Sequence, residues 1–184
     1  MKRRHFLQSA AATFPAALAQ PFALAIEPQL KEAHMVPANR DIDGEPRILG
    51  YSRVSFKTSP QETAGNLFMI EHANLLPGGP PLHYHLAQEE WFYVMEGEVL
   101  FQVGDKRLTL KPGESVLAPR MIPHTWTGAS PKPGRMLIAF TPAGKMHEFF
   151  IEYLARAAKG NTNMADPDLF ARHDMKLLGP PIQA

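Results

Sequence analysis

From Asn66 to Gly144 the chain runs in short apolar stretches, many alternating with polar residues, and nearly every stretch closes on a turn signal. The stretches fall at 67–75, 90–95, 98–103, 107–110, 115–118, 124–128 and 135–141, from "NLFMIEHANLLPGG" at one end to "GRMLIAFTPAG" at the other. "VGDKR" offers Gly104-Asp105 for a two-residue hairpin, "KPGE" a turn at Pro112-Gly113, and "PKPG" another across 131–134. Short strands at this spacing predict an all-β sandwich or barrel. Upstream, from Ile26 to about Gly65, the pattern is polar, punctuated by proline and weakly periodic. "RILGYSRVSF" is its one plausible strand, and the segment reads as an N-terminal arm packed on the barrel. After Gly144 the period lengthens to that of a helix: "MHEFFIEYLARAAKG" sets Phe149, Phe150, Tyr153, Leu154 and Ala157 on one face, with Gly160 as the stop. A second, short helix is expected near Asp166-Pro167, and "KLLGPPIQA" reads as a docked tail. The expected organisation is an export signal at 1–25, the arm at 26–65, the barrel at 66–143, and a C-terminal helix and tail at 144–184.

Composition narrows the class of protein. A chain of 184 residues, 45% hydrophobic, suffices for one domain with a sizeable core. Its 18 prolines and 13 glycines favour strands and turns over a helix bundle. Net charge is +1 and Lys/Arg cluster only within the first four residues, which excludes an electrostatic case for nucleic acid. With no cysteine, disulfides and thiolate metal sites are excluded, so any metal must be held by nitrogen and oxygen.

The opening "MKRRHFLQSAAATFPAALAQPFALA" has the form of a targeting segment: a basic start, a small-residue apolar stretch without acids, and Ala23-Leu24-Ala25 suited to a signal peptidase. Its "RRHFLQ" resembles a twin-arginine (Tat) export signal, with Arg3 and Arg4 as the pair and Phe6-Leu7 as the apolar doublet. Pro15, Gln20 and Pro21 break the stretch below the roughly 20 clean residues of a membrane anchor. Cleavage would remove Lys2, Arg3 and Arg4 and no acid, turning the net charge from +1 to −2. The implied location is the periplasm or another exported compartment.

The candidate chemistry lies in "PPLHYHLAQEEWFYVMEGE", residues 80–98. Alternate residues of a strand share a face, so His83 and His85 point one way and Tyr84 the other. Glu89 or Glu90 offers an acid, and "PRMIPHTW" supplies His124 at the start of another strand. A lone histidine is more often a surface or core residue than a ligand. Three imidazoles and a carboxylate together suit Fe, Mn, Ni, Co, Cu or Zn.

The whole pattern resembles the two signature motifs of the cupin superfamily. In the first, Gly78 or Gly79 precedes His83, His85, Glu90 and Gly97, and the six residues between the last two select Glu90 over Glu89. In the second, Gly113, Pro119 and His124 fall in place, while Met121 stands where the motif has glycine and Gly128 where it has asparagine. Fifteen residues separate Gly97 from Gly113, the short intermotif segment of small bacterial cupins. "EEWFYVMEGEV", "LKPGESVLAPR" and "FTPAGKMHEFF" look like the single-domain, quercetin-dioxygenase-like members. The resemblance implies a double-stranded β-helix, a jelly-roll barrel of two antiparallel sheets. It also implies one divalent transition metal held by His83, His85, Glu90 and His124, with two positions left open on a six-coordinate ion.

Strand parity places Phe92 on the face of Glu90 and Trp126 on that of His124; with Phe140 they are the expected substrate-pocket wall. Along "LFMIEHANL" parity leaves two sets open, Phe68, Ile70 and His72 against Met69 and Glu71. His34, His147 and His173 are expected at the surface, and Glu89 in water beside the mouth. Two functions follow. One is a metal-dependent dioxygenase for an aromatic or enolisable small molecule, with Glu90 both ligand and catalytic proton acceptor. The other is a non-catalytic or isomerase-like cupin binding a metabolite or sugar. A sugar site would want inward polar side chains, and only Gln102 and Arg120 are candidates, which favours the first. Expected partners are a small-molecule substrate, the Tat export machinery and a second copy of the chain in a homodimer, with no nucleic acid and no stable membrane anchor.

Overall fold

A computed structural model describes residues 32–160 and 164–184. The segment read as an export signal lies outside the described residues. Eleven strands and two helices follow in the order β1 (Arg47–Leu49), β2 (Ser52–Thr58), β3 (Phe68–Leu75), β4 (Leu82–His85), β5 (Glu89–Glu96), β6 (Val99–Val103), β7 (Lys106–Leu110), β8 (Ser115–Ala118), β9 (His124–Gly128), β10 (Gly134–Thr141), α1 (Met146–Ala158), α2 (Pro167–Arg172) and β11 (Met175–Gly179). They form two antiparallel sheets, one in the order β1-β2-β3-β10-β5-β8 and the other β11-β4-β9-β6-β7. The fold is therefore the all-β jelly-roll barrel with a C-terminal helix. Alternation explains how each strand sits. In β5 the inward residues Glu90, Phe92 and Val94 are buried, whereas Glu89, Trp91 and Tyr93 between them are half-exposed. The inner faces of both sheets meet in one apolar core that includes Phe56, Phe68, Phe92, Phe101, Ile138 and Phe140.

Two segments do more than their sequence pattern conveys. "RILGYSRVSF" is not one strand: it turns at Gly50-Tyr51 into a hairpin, with Leu49 opposite Ser52. Its second strand pairs with β3, so part of the segment read as an arm extends the six-stranded sheet. The tail likewise contributes β11, which pairs antiparallel with β4 and sets Leu177 opposite His83 and Met175 opposite His85.

The helices close one end of the barrel. In α1 the apolar spacing buries Met146, Phe149, Phe150, Tyr153 and Leu154. Phe150 meets Phe56, Phe68 and Phe140 of the sheet at ring-centroid distances of 6.5, 6.1 and 5.8 Å. Asp166 caps α2 by accepting from the backbone N–H of Asp168 at 3.0 Å and Leu169 at 3.3 Å, with Pro167 in the first turn. Arg156 of α1 binds Asp166 at 2.6 Å, and Arg172 of α2 binds Glu152 of α1 at 2.9 Å, pinning the two helices together.

Candidate metal centre

The barrel brings four sequence-distant side chains together. His83 and His85 come from β4, His124 from β9 and Glu90 from β5, so three imidazoles descend from one sheet and the carboxylate rises from the other. His83 and His124 are direct cross-strand partners. One ligand atom from each of the four lies within 4.8 Å of every other, and all four residues are buried. Glu90, not Glu89, is the acid inside. Glu89 faces outward and is held by Arg120, with Nη2 donating to Oε2 at 2.6 Å.

Hydrogen bonding fixes the histidine tautomers. His83 Nδ1 lies 2.8 Å from the carbonyl of Pro81, and His124 Nδ1 lies 3.0 Å from that of Ile122. A carbonyl only accepts, so each Nδ1 carries the proton, and in a neutral ring the lone pair is on Nε2. Burial pushes the His83 imidazole well below its ordinary pKa, and the neighbouring His124 and His85 push it further, so His83 is neutral. Burial alone would push the Glu90 carboxyl up, but hydrogen bonds to His124 and His85 hold it below the usual carboxylate range. It is ionised.

These assignments test whether a metal fits. His124 Nε2 is 2.8 Å and His85 Nε2 is 3.0 Å from the same oxygen, Glu90 Oε2. Where these ring nitrogens converge on a carboxylate oxygen, either a proton or a metal ion must lie among them. The donor set of three nitrogens and one carboxylate oxygen suits a divalent transition ion, and the carbonyl bonds at Pro81 and Ile122 orient two of the rings as outer partners of metal-bound histidines do. The residues fit.

Local backbone prepares this geometry at two points. A Cβ on Gly79 would sit 1.7 Å from the carbonyl oxygen of Trp126, so only glycine lets the loop before β4 approach β9 this closely. Met121, in the place of the motif glycine, keeps the glycine conformation at φ 66 and donates its N–H to the His85 carbonyl at 2.8 Å. The turn before His124 thus survives the substitution with a strained residue.

A cavity opens beside the cluster, lined by His83, His85 and Glu90 with Trp126, Phe140 and Tyr51 from the barrel and Phe149, Tyr153 and Phe170 from the helical cap. Of the expected pocket wall, Trp126 and Phe140 line it. Phe92 does not; it is buried in the core, packed on Phe101 at 5.0 Å and edge-on to His124 at 6.1 Å. Neither Gln102 nor Arg120 reaches the cavity. On β3 the inward set is Phe68, Ile70 and His72, and His72 lines the cavity. Glu71 is also buried, on the opposite face, where Arg135 Nε donates to it at 2.7 Å and Lys57 lies at 3.3 Å. His34 is exposed, but His147 packs edge-on to Phe56 and Phe68 at 5.4 Å each. His173 is buried, its Nδ1 2.8 Å from the Leu169 carbonyl. The aromatic cap was invisible as a pocket wall in the sequence, although the apolar face of α1 was its signal.

Residues 72–140, which contain every member of the cluster, match the family model described as Cupin domain. The matched stretch resembles a cupin domain and covers less than half of the chain. A fungal relative of this chain, "Oxidoreductase OpS7" of Beauveria bassiana, is 34% identical over 74 residues, 40% of this chain and 17% of its own length. The chain thus spans about one sixth of that relative. Among solved structures, KdgF from Halomonas sp. superposes with a TM-score of 0.52 at 12% identity, over 60% of this chain and 94% of that one. An RmlC-like cupin from Shewanella frigidimarina gives 0.51 at 19% identity, over 63% and 96%. At these identities the two structures speak for the fold alone.

Proposed function

We propose that this cupin is an exported metalloenzyme, a mononuclear metal-dependent dioxygenase for a small enolisable or phenolic compound. The observation that carries the reading is a cavity in which His83, His85 and Glu90 of the four-residue cluster meet aromatic walls, with no Lys, Arg, Asn or Gln among the described lining residues. A transition ion held by His83, His85, Glu90 and His124 would supply Lewis acidity and, if redox-active, a site for dioxygen. The chain's own residues do the rest. Trp126, Phe140 and the cap exclude water and present flat faces to a conjugated ligand. Glu90 makes both its hydrogen bonds through Oε2, which leaves Oε1 to accept the proton an enol or phenol must lose. The oxidoreductase name of the fungal relative agrees with this chemistry but covers a far longer protein. Export rests on the Arg3-Arg4 signal; Lys at both positions should leave the precursor unprocessed in the cytoplasm, and normal processing of that variant would refute a twin-arginine route.

Size refines the substrate. The cavity volume is about 40 Å³, small beside the several hundred Å³ of a typical ligand pocket. Compounds of a few heavy atoms match this space; a three-ring flavonol would need the cap of α1 and α2 to move outward. The deciding experiment follows oxygen uptake at fixed metal occupancy across a panel from small diketones and oxo acids to phenols and flavonols. Uptake with the small enolisable members is expected, with Glu90→Gln slower by about 10²- to 10⁴-fold at equal metal content. No uptake with any member under any of the six metals would overturn the dioxygenase reading in favour of a binding module.

A further inference from the structure

The cavity holds a second polar feature that metal ligation leaves unused. His72 of β3 is 1% exposed and lines the same cavity as the cluster. Its Nδ1 is 2.8 Å from Ser52 Oγ, whereas its Nε2 is buried with no partner among the described residues. The ring has little freedom: Tyr51 lies parallel to it at 6.3 Å and Trp126 edge-on at 5.1 Å. Native proteins rarely leave a buried ring nitrogen unpaired, and an unpaired one on a cavity-lining residue calls for completion by a ligand or an ordered water.

We propose that His72 is a substrate-positioning residue whose Nε2 binds a neutral oxygen of the ligand, a carbonyl or a hydroxyl, other than the one that meets the metal cluster. This deepens the function proposed above and rests on it only for the ligand's occupying this cavity.

The chemistry selects a neutral oxygen over a charged one. Among the described residues no Lys or Arg lines the cavity. Burial pushes the His72 imidazole down to about 4, against the pull of Glu90 and Glu71, so it is uncharged at neutral pH. A carboxylate placed against it would be buried without a countercharge. Ser52 lets the ring serve either neutral group. When the hydroxyl donates to Nδ1, the Nε2–H donates to a carbonyl; when Nδ1–H donates to Ser52, Nε2 accepts from a hydroxyl. The cavity lining therefore offers two chemically distinct groups, an anion-seeking cluster and a neutral donor-acceptor at His72, among aromatic side chains. The matching ligand class is small and conjugated, with one ionisable oxygen and a second, uncharged oxygen.

The test uses zinc-loaded full-length protein and calorimetric titration with acids of three to five carbons, each as the parent acid and as its ω-hydroxy derivative. The parent probes only the cluster, and the added hydroxyl probes His72. In wild type, the hydroxy acid whose length matches the cavity is expected to bind about ten-fold tighter than its parent, the usual worth of one well-placed hydrogen bond. His72→Phe should abolish that ratio while leaving parent-acid affinity within about two-fold, since a single lost hydrogen bond does not touch the parent's contacts. His72→Gln should restore part of it, and Ser52→Ala, which keeps the ring in place, should lose part. An unchanged ratio in His72→Phe, or in Ser52→Ala and His72→Gln together should His72→Phe not fold, overturns the proposal while the metal-site reading stands. If no parent acid binds wild type, the cavity reading falls and this proposal with it.

Discussion

His72 carries a quantitative consequence for stability. Its imidazole, ordinarily near 6.5, is pushed to about 4 in the folded protein, chiefly by burial. In the unfolded chain the same ring protonates near its ordinary value. Between those two limits the unfolded state binds a proton that the native state refuses, so stability falls as pH drops from 6.5 towards 4 and no further change from this group follows below. The full effect is about 3 kcal/mol at 1.36 kcal/mol per unit, and about 2 kcal/mol of it is already spent at pH 5. Urea unfolding of chelator-treated wild type and His72→Gln at pH 8 and pH 5 isolates it, because every other titrating group is common to both proteins. Wild type should lose about 2 kcal/mol more than the variant on acidification, a midpoint difference of about 1 M at a typical urea slope. Parallel pH dependence of the two proteins would refute the burial of a neutral ring at this position.

The ligand set predicts that Ala at His83, His85 or His124 abolishes stoichiometric metal, read by elemental analysis, while far-ultraviolet circular dichroism stays that of a folded barrel; metal retained in two of the three variants would remove the site. Gly79→Ala places a Cβ 1.7 Å from the Trp126 carbonyl oxygen, so it should cost about 3 kcal/mol or more by thermal unfolding and weaken metal binding through displaced β9. Met121→Gly should do the reverse of an ordinary glycine substitution. Relief of a strained φ of 66, worth about 1–2 kcal/mol, outweighs or matches the roughly 0.5–1 kcal/mol entropic cost of glycine, and the melting temperature should hold or rise.

Much of the barrel was legible because its strands alternate and its turns carry Gly and Pro: the seven runs from 67 to 141 correspond to β3 and β5 to β10 with ends shifted by a residue or so. The cluster was legible through motif spacing, which separates Glu90 from Glu89 where polarity alone does not. Other features had no local signal. Gly50-Tyr51 lies inside an apolar run, so nothing in the pattern reveals that the run folds back on itself as β1 and β2. The tail "MKLLG" becomes β11 only because the edge of β4 is available to pair with it, a tertiary cause that periodicity does not encode. Phe92 shares parity with Glu90 yet misses the cavity, since parity assigns a face and not a depth along the barrel. His72 was one of two parity sets, and only the pairing of β3 with β2 and β10 decides between them.

The cap and the cluster are also coupled through the late part of the chain. β11 pairs with β4, the strand that carries both His83 and His85, and Phe170 of α2 packs edge-on to His83 at 5.4 Å. Met175, opposite His85, lines the cavity itself. Lys145 Nζ, at the start of α1, bonds the Arg172 carbonyl at 3.2 Å and the Asp174 carboxylate at 2.9 Å. The same segment therefore braces the ligand-bearing strand, walls the cavity and holds the helices over it. A ligand too large for the cavity must displace this segment, and displacement loosens the edge of the very strand that positions two metal ligands. On the proposed function, selection for small substrates would follow from the metal-binding cluster as well as from the pocket: what opens the cap would weaken the site that the ligand came to use.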